Sequence, residues 1–142
     1  MSATLYFTDS EKTTVRPWAC QCVLPLSSDP IDREMGWGEP CGCEDKDCNM
    51  SNHNARAVFA ALGMNTDFEN ASAMLPQELW AACGRFLSSD LAELVDCGKA
   101  PEFSASVIDC GRGAGYITRR VNQIHELCEL AMLSGAVRCY FC

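Results

Sequence analysis

No apolar run in this sequence approaches the roughly 20 residues needed to cross a bilayer, so a membrane-spanning helix is not expected. Positive charge is scarce as well. The chain has 11 Lys and Arg against 19 Asp and Glu, a formal charge of −8 and a pI near 4.6. Nonspecific binding to a phosphate backbone needs clustered cations that release counterions, so direct nucleic-acid binding is not expected. The acidic surface favours solubility or a basic partner. Met1 to Lys12 has neither a basic start nor a sustained apolar stretch, which argues against an export signal and for a cytoplasmic protein. There is no internal repeat, no low-complexity tail and no motif for a known reaction.

What is present suits one globular domain over residues 1–142. The chain is 48% hydrophobic and 21% charged, and 142 residues are enough to bury a core without cross-links. The pattern predicts an α+β fold, a small mixed sheet covered by about three main helices. Strands are expected at Thr4–Phe7, within Trp18–Leu24, at Ser104–Ile108 and at Ala136–Phe141. Helices are expected near Asn52–Leu62, Gln77–Cys97 and Tyr116–Ser134. In the last of these, Ile117, Val121, Ile124, Cys128 and Ala131 recur on one face, widened by Leu127 and Leu130. Ser106–Ile108, this helix and the closing strand together suggest a βαβ unit. Leu75-Pro76-Gln77-Glu78 places proline and an acid where helix starts prefer them, and Ser88-Ser89-Asp90 can end that helix and cap another. Trp80 reads as core.

Residues 27–49 form a long loop rich in Gly, Pro and acids, with too little apolar content to offset its own ordering entropy. Cysteines offer a way to hold it. A cytoplasmic chain with 11 cysteines keeps most of them reduced, so a cluster points to a metal before disulfides. Cys20-x-Cys22, Cys41-x-Cys43-x4-Cys48 and the following His53 supply thiol and imidazole ligands of the kind zinc prefers. Cys41 to Cys48 resembles the C-x-C-x4-C motif in the post-SET segments of histone methyltransferases, where a fourth thiolate comes from elsewhere. The resemblance covers those residues alone and implies no methyltransferase activity. It implies that Cys41, Cys43 and Cys48 have a spacing compatible with three ligands on one zinc; Cys20, Cys22 and His53 compete for the fourth place. The plain alternative is that these thiols are small apolar side chains or labile disulfides. Cys83, Cys97, Cys110 and Cys128 read as core, and Cys139 and Cys142 would face opposite sides of a strand.

Asp109 to Tyr116 (DCGRGAGY) lies between a strand and a helix, where glycines let backbone N–H groups converge on an anion. It matches neither the Walker pattern nor a complete G-x-G-x-x-G. Arg112, Arg119 and Arg120 put cations at the positive end of the helix dipole, a local conflict that a bound anion would relieve. The candidate anion site is therefore Gly111, Arg112, Gly113, Gly115, Arg119 and Arg120. The alternative is that Asp109 or another carboxylate of the chain neutralises the arginines. His125 has no Ser, Cys or Asp fixed beside it and reads as structural.

These residues predict a non-enzymatic binding protein with a zinc-held loop, its partner a phosphorylated small molecule or a protein. One rival is a zinc-dependent hydrolase that uses the cysteine cluster, with Glu44 as base. The other is an acidic inhibitor that mimics nucleic acid.

Overall fold

The computed structural model describes residues 2–18, 30–34, 47–67, 73–104, 108–109 and 111–141. Strand β1 (Ser2–Thr8) is the centre of the sheet. Ala3, Leu5 and Phe7 are buried, while Thr4, Tyr6 and Thr8 alternate with them on the opposite face. Three strands pair with β1, all antiparallel: β2 (Thr14–Val15), β3 (Asn49–Ser51) and β6 (Arg138–Phe141). β2 and β3 follow one another along one edge, where Leu5 N–H donates to Cys48 O and Asp9 N–H to Thr13 O. β6 takes the other edge in the register Leu5–Phe141 to Thr8–Arg138. Met74 adds a single bridge beyond it, to Cys139.

Helices cover the inner face of this sheet. Helix α2 (Asn52–Ala61) starts at Ser51, whose hydroxyl accepts from Asn54 N–H at 3.2 Å, an N-cap that satisfies one of the first-turn donors. Helix α3 (Pro76–Leu87) has proline in its first turn, where the missing N–H costs nothing. At its end the hydroxyls of Ser88 and Ser89 donate back to Gly84 O and Phe86 O, Ser89 Oγ accepts from Leu91 N–H, and the short α4 (Leu91–Val95) follows. Helix α5 (Tyr116–Leu133) buries Ile117, Val121, Ile124, Leu127, Cys128 and Ala131. It runs antiparallel to α3, so that Trp80 meets His125 while Gln77 shares a groove with Leu133. Sheet and helices meet in one cluster in which Phe7, Phe59, Leu79, Phe86 and Ile124 are fully or almost fully buried. The rings of Phe59 and Phe141 pack edge to face at 5.1 Å. A short helix, α1 (Pro30–Glu34), lies within the cysteine-rich stretch.

The α+β class holds, but among the described residues the sheet is antiparallel rather than mixed and no βαβ unit is found. Strand β5 (Ile108–Asp109) does not join β6 across α5; it pairs with β4 (Glu102–Phe103) in a separate ribbon. Lys99 and Arg112 extend that ribbon through reciprocal backbone hydrogen bonds of 2.7 and 2.8 Å. Closing this local hairpin costs less chain entropy than a crossover to a distant strand. It also depends on two glycines with positive φ, where a Cβ at Gly111 would fall 2.4 Å from Lys99 O and one at Gly98 2.9 Å from Ala114 N. In the expected Trp18–Leu24 strand, everything after Trp18 lies outside the described residues; the strand found nearby is β2. No described helix is long and apolar enough to cross a membrane.

Candidate functional site

Two carboxylates organise the places where sequence reasoning put its candidate sites. The first is Asp47. The β1–β2 turn returns the chain so that Arg16 and Trp18 face Asp47, which lies just ahead of β3. Arg16 Nε donates to Asp47 Oδ1 at 3.1 Å, its Nη2 contacts Oδ2, and Trp18 Nε1 donates to Oδ1 at 2.7 Å. The guanidinium thus grips both carboxylate oxygens, the fork geometry that makes such a pair directional. Trp18 also packs edge-on against Phe7 at 5.6 Å, which ties the clamp to the core. On the other side, Gln123 Nε2 donates to the Asp47 carbonyl at 3.3 Å. Trp18 and Asp47, the described residues that flank the cysteine-rich stretch, are therefore held together at one point. Cys20, Cys22, Cys41 and Cys43 belong to the intervening sequence and lie outside the described residues. A hollow of about 280 Å³ beside the clamp is lined by Thr4, Tyr6, Thr14, Arg16 and Asp47.

Cys48 and His53 are described, and they do not converge. Cys48 is fully buried on the inner face of the sheet. Burial pushes its thiol up to about 11, although Arg120 pulls the other way. Cys83 and Cys139 are each raised to about 12 by burial, and Cys128 is raised further. A charge on Cys48 would raise Cys83 and Cys128 in turn. All four thiols lie in the hydrophobic cluster, where they pack as small apolar side chains. His53 is exposed in the first turn of α2. Among the described residues no group of three or more His, Cys, Asp or Glu is placed to hold a metal ion.

The second carboxylate is Asp96, which sequence reasoning missed. It is 7% exposed and sits at the start of α5. Its Oδ1 accepts from Ile117 N–H at 2.9 Å and its Oδ2 from Thr118 N–H at 2.8 Å. Gly115 N–H goes to Asp96 O and Tyr116 N–H to Gly113 O, while Arg119 N–H makes the first bond within the helix, to Gly115 O. All four first-turn donors are thus used by the protein itself, so the free donors on which the anion reading of Gly111, Gly113 and Gly115 relied are occupied. Burial by itself would raise the Asp96 carboxyl. The N–H and hydroxyl of Thr118, the N–H of Ile117 and the charge of Arg112 outweigh it and hold the group below the ordinary carboxylate range.

The arginines divide between two tasks. Arg112 lies within electrostatic reach of Asp96, and its Nη1 is buried without a hydrogen-bond partner among the described residues. Arg119 and Arg120 instead stand over the Tyr116 ring, at 5.5 and 5.4 Å from its centroid. Arg120 also donates to Gln123 Oε1 at 2.7 Å and to the Tyr116 hydroxyl at 3.3 Å. The conflict between cations and helix dipole is answered by a carboxylate from the end of α4, which no local spacing reveals.

A third feature lies on the α3–α5 seam. Gln77, Trp80 and Ala81 from α3 face Glu129, Met132 and Leu133 from α5 across an apolar groove of about 440 Å³. Trp80, expected in the core, is at the surface with 39% exposure. It stacks on His125 with ring centroids 5.0 Å apart and planes 20° from parallel.

No protein-family model, curated protein or solved structure matches this chain.

Proposed function

We propose that this chain is a non-enzymatic binding protein whose core carries one zinc-held loop, and that its partner is a protein rather than a phosphorylated small molecule. The clamp of Arg16 and Trp18 on Asp47 carries the reading. It gathers the two ends of the cysteine-rich stretch, and Cys22 and Cys43 stand equally far along the chain from it. Each end then brings one C-x-C pair, Cys20 with Cys22 and Cys41 with Cys43, the donor set of a tetrahedral zinc site. Cys48 is left out of that set because its thiol belongs to the core, and His53 because it starts α2.

A four-thiolate shell leaves no position for water, which weighs against the hydrolase. A phosphate at the α5 turn would have to compete with Asp96 for the same donors. A cytoplasmic, reducing setting would keep the four thiols available.

Protein purified without chelator should contain about one zinc per chain by elemental analysis. Cys43→Ser should lose the metal and become more sensitive to protease between residues 19 and 46, with helix content unchanged. Metal-free parent protein that resists protease there as well as any metal-loaded sample would end the proposal.

A further inference from the structure

Helices α3 and α5 bury their inner faces against the sheet, yet their outer seam presents Trp80, Met132 and Leu133 together. Leu133 is 81% exposed. One exposed leucine is ordinary; a tryptophan, a methionine and a leucine lining one groove of about 440 Å³ mark a recognition surface. Trp80 is also preorganised. Its stacking on His125 fixes the ring before any partner arrives, so binding need not order it.

Shape narrows the occupant. Small-molecule sites enclose most of their ligand, whereas the Leu133 side of this groove stands in solvent. A trough between two antiparallel helices suits a third helix, whose ridge of side chains fits the groove between them.

Charge narrows it further. Glu129 lines the groove and Glu126 lies one turn earlier on the same exposed ridge, while the six lining residues include no cation. The chain as a whole carries −8. A second copy would bring the same acids and the same net charge, whereas a partner with cations flanking its apolar stripe would be attracted.

We infer that the α3–α5 groove docks an amphipathic helix of a partner protein, apolar where it meets Trp80, Met132 and Leu133 and rich in Lys or Arg on its flanks. The inference rests on the protein-partner part of the function proposed above and uses no residue of the zinc loop.

The test uses two labelled helical peptides of one leucine pattern, one with lysine and the other with glutamate at the polar positions. Fluorescence anisotropy of the full-length protein should show salt-sensitive binding of the Leu–Lys peptide and at least tenfold weaker binding of the Leu–Glu peptide. Leu133→Asp and Trp80→Ala should each weaken the Leu–Lys complex about tenfold or more, as truncation of a buried anchor does. Glu126→Lys combined with Glu129→Lys should do the same. These are surface positions, and unchanged circular dichroism confirms that the variants fold.

Leu–Lys binding unchanged in Leu133→Asp would overturn the inference, because the peptide would then be held by general acidity. Equal binding of both peptides, or a dimer of the parent that Leu133→Asp dissolves, would overturn it in favour of a nonspecific apolar patch or a second copy. Cys43→Ser separates the two proposals. Normal peptide binding there upholds the groove whatever the fate of the zinc, and lost binding would move the docking surface to the loop.

Discussion

Asp47 and Asp96 perform the same topological task with different physics. Each joins segments far apart in sequence: Asp47 reaches Arg16 across 31 residues and Asp96 reaches Ile117 across 21. Asp96 is buried and spends both oxygens on backbone N–H groups that have no other partner in their helix. Asp47 is partly exposed, and its chief partner Arg16 is 45% exposed at the side chain. Water can replace much of what Asp47 provides and almost nothing of what Asp96 provides. Asp96 therefore fixes the fold, and Asp47 fixes where the two ends of the cysteine-rich stretch are held together.

The largest effect expected from breaking this pair is at Asp96. Asp96→Ala leaves one buried and one part-buried donor and the Arg112 charge without their acceptor, and should cost about 2–4 kcal/mol in urea unfolding. Asp96→Asn keeps one acceptor and should cost less. The pH dependence follows from the sign of the shift. A carboxyl depressed in the folded state contributes stability that is fully present above its unfolded value, about 3.9, and is lost as pH falls through the lower folded value. The gap between parent and Asp96→Asn should thus be constant from neutral pH to about pH 5 and shrink below about pH 4. A gap that widens on acidification would assign the cap to another group.

Asp47→Ala should show a smaller effect on the whole and a sharper one locally. Exposed ion pairs contribute about 0–1 kcal/mol, so the urea midpoint should move little. The Trp18 hydrogen bond and both Arg16 contacts vanish together, however, and with them the closure of the insertion. Limited proteolysis between residues 19 and 46 should accelerate severalfold while the core resists. Comparable losses of global stability in Asp47→Ala and Asp96→Ala would erase the distinction between the two carboxylates.

The same contrast explains what was legible in the sequence. Helix α5 was, because its apolar spacing is a local property, and Ile117, Val121, Ile124, Cys128 and Ala131 are all buried. The break at Ser88 to Asp90 was legible for the same reason. Strand β3 was hidden because three residues carry almost no period, and the stretch reads equally well as helix-cap chemistry. The βαβ expectation failed on partner choice. Ile108 has strand composition whether it pairs with Phe103 or across α5, and only the close backbone approach at Gly111 decides. Asp96 was missed because a carboxylate that caps a helix from 21 residues away leaves no spacing rule to find. Arginines at a helix N-terminus signalled a nearby anion without saying that the chain supplies it.

The smallest effect is expected at Arg119, and it bears on that last point. Arg119 is exposed and its recorded contact is the face of Tyr116, an interaction of about 0.5 kcal/mol at a surface. Arg112 is half-buried beside Asp96, where losing its charge should cost about 1 kcal/mol. Urea unfolding should therefore show Arg119→Ala close to the parent and Arg112→Ala measurably weaker. Inorganic phosphate gives the second readout. If Asp96 is the anion of this turn, phosphate at millimolar levels should leave the midpoints of all three proteins where an equal ionic strength of chloride leaves them. A phosphate-specific rise in the parent that Arg119→Ala and Arg112→Ala both abolish would mean that the turn admits an external anion beside Asp96, and the partner would again be sought among phosphorylated small molecules.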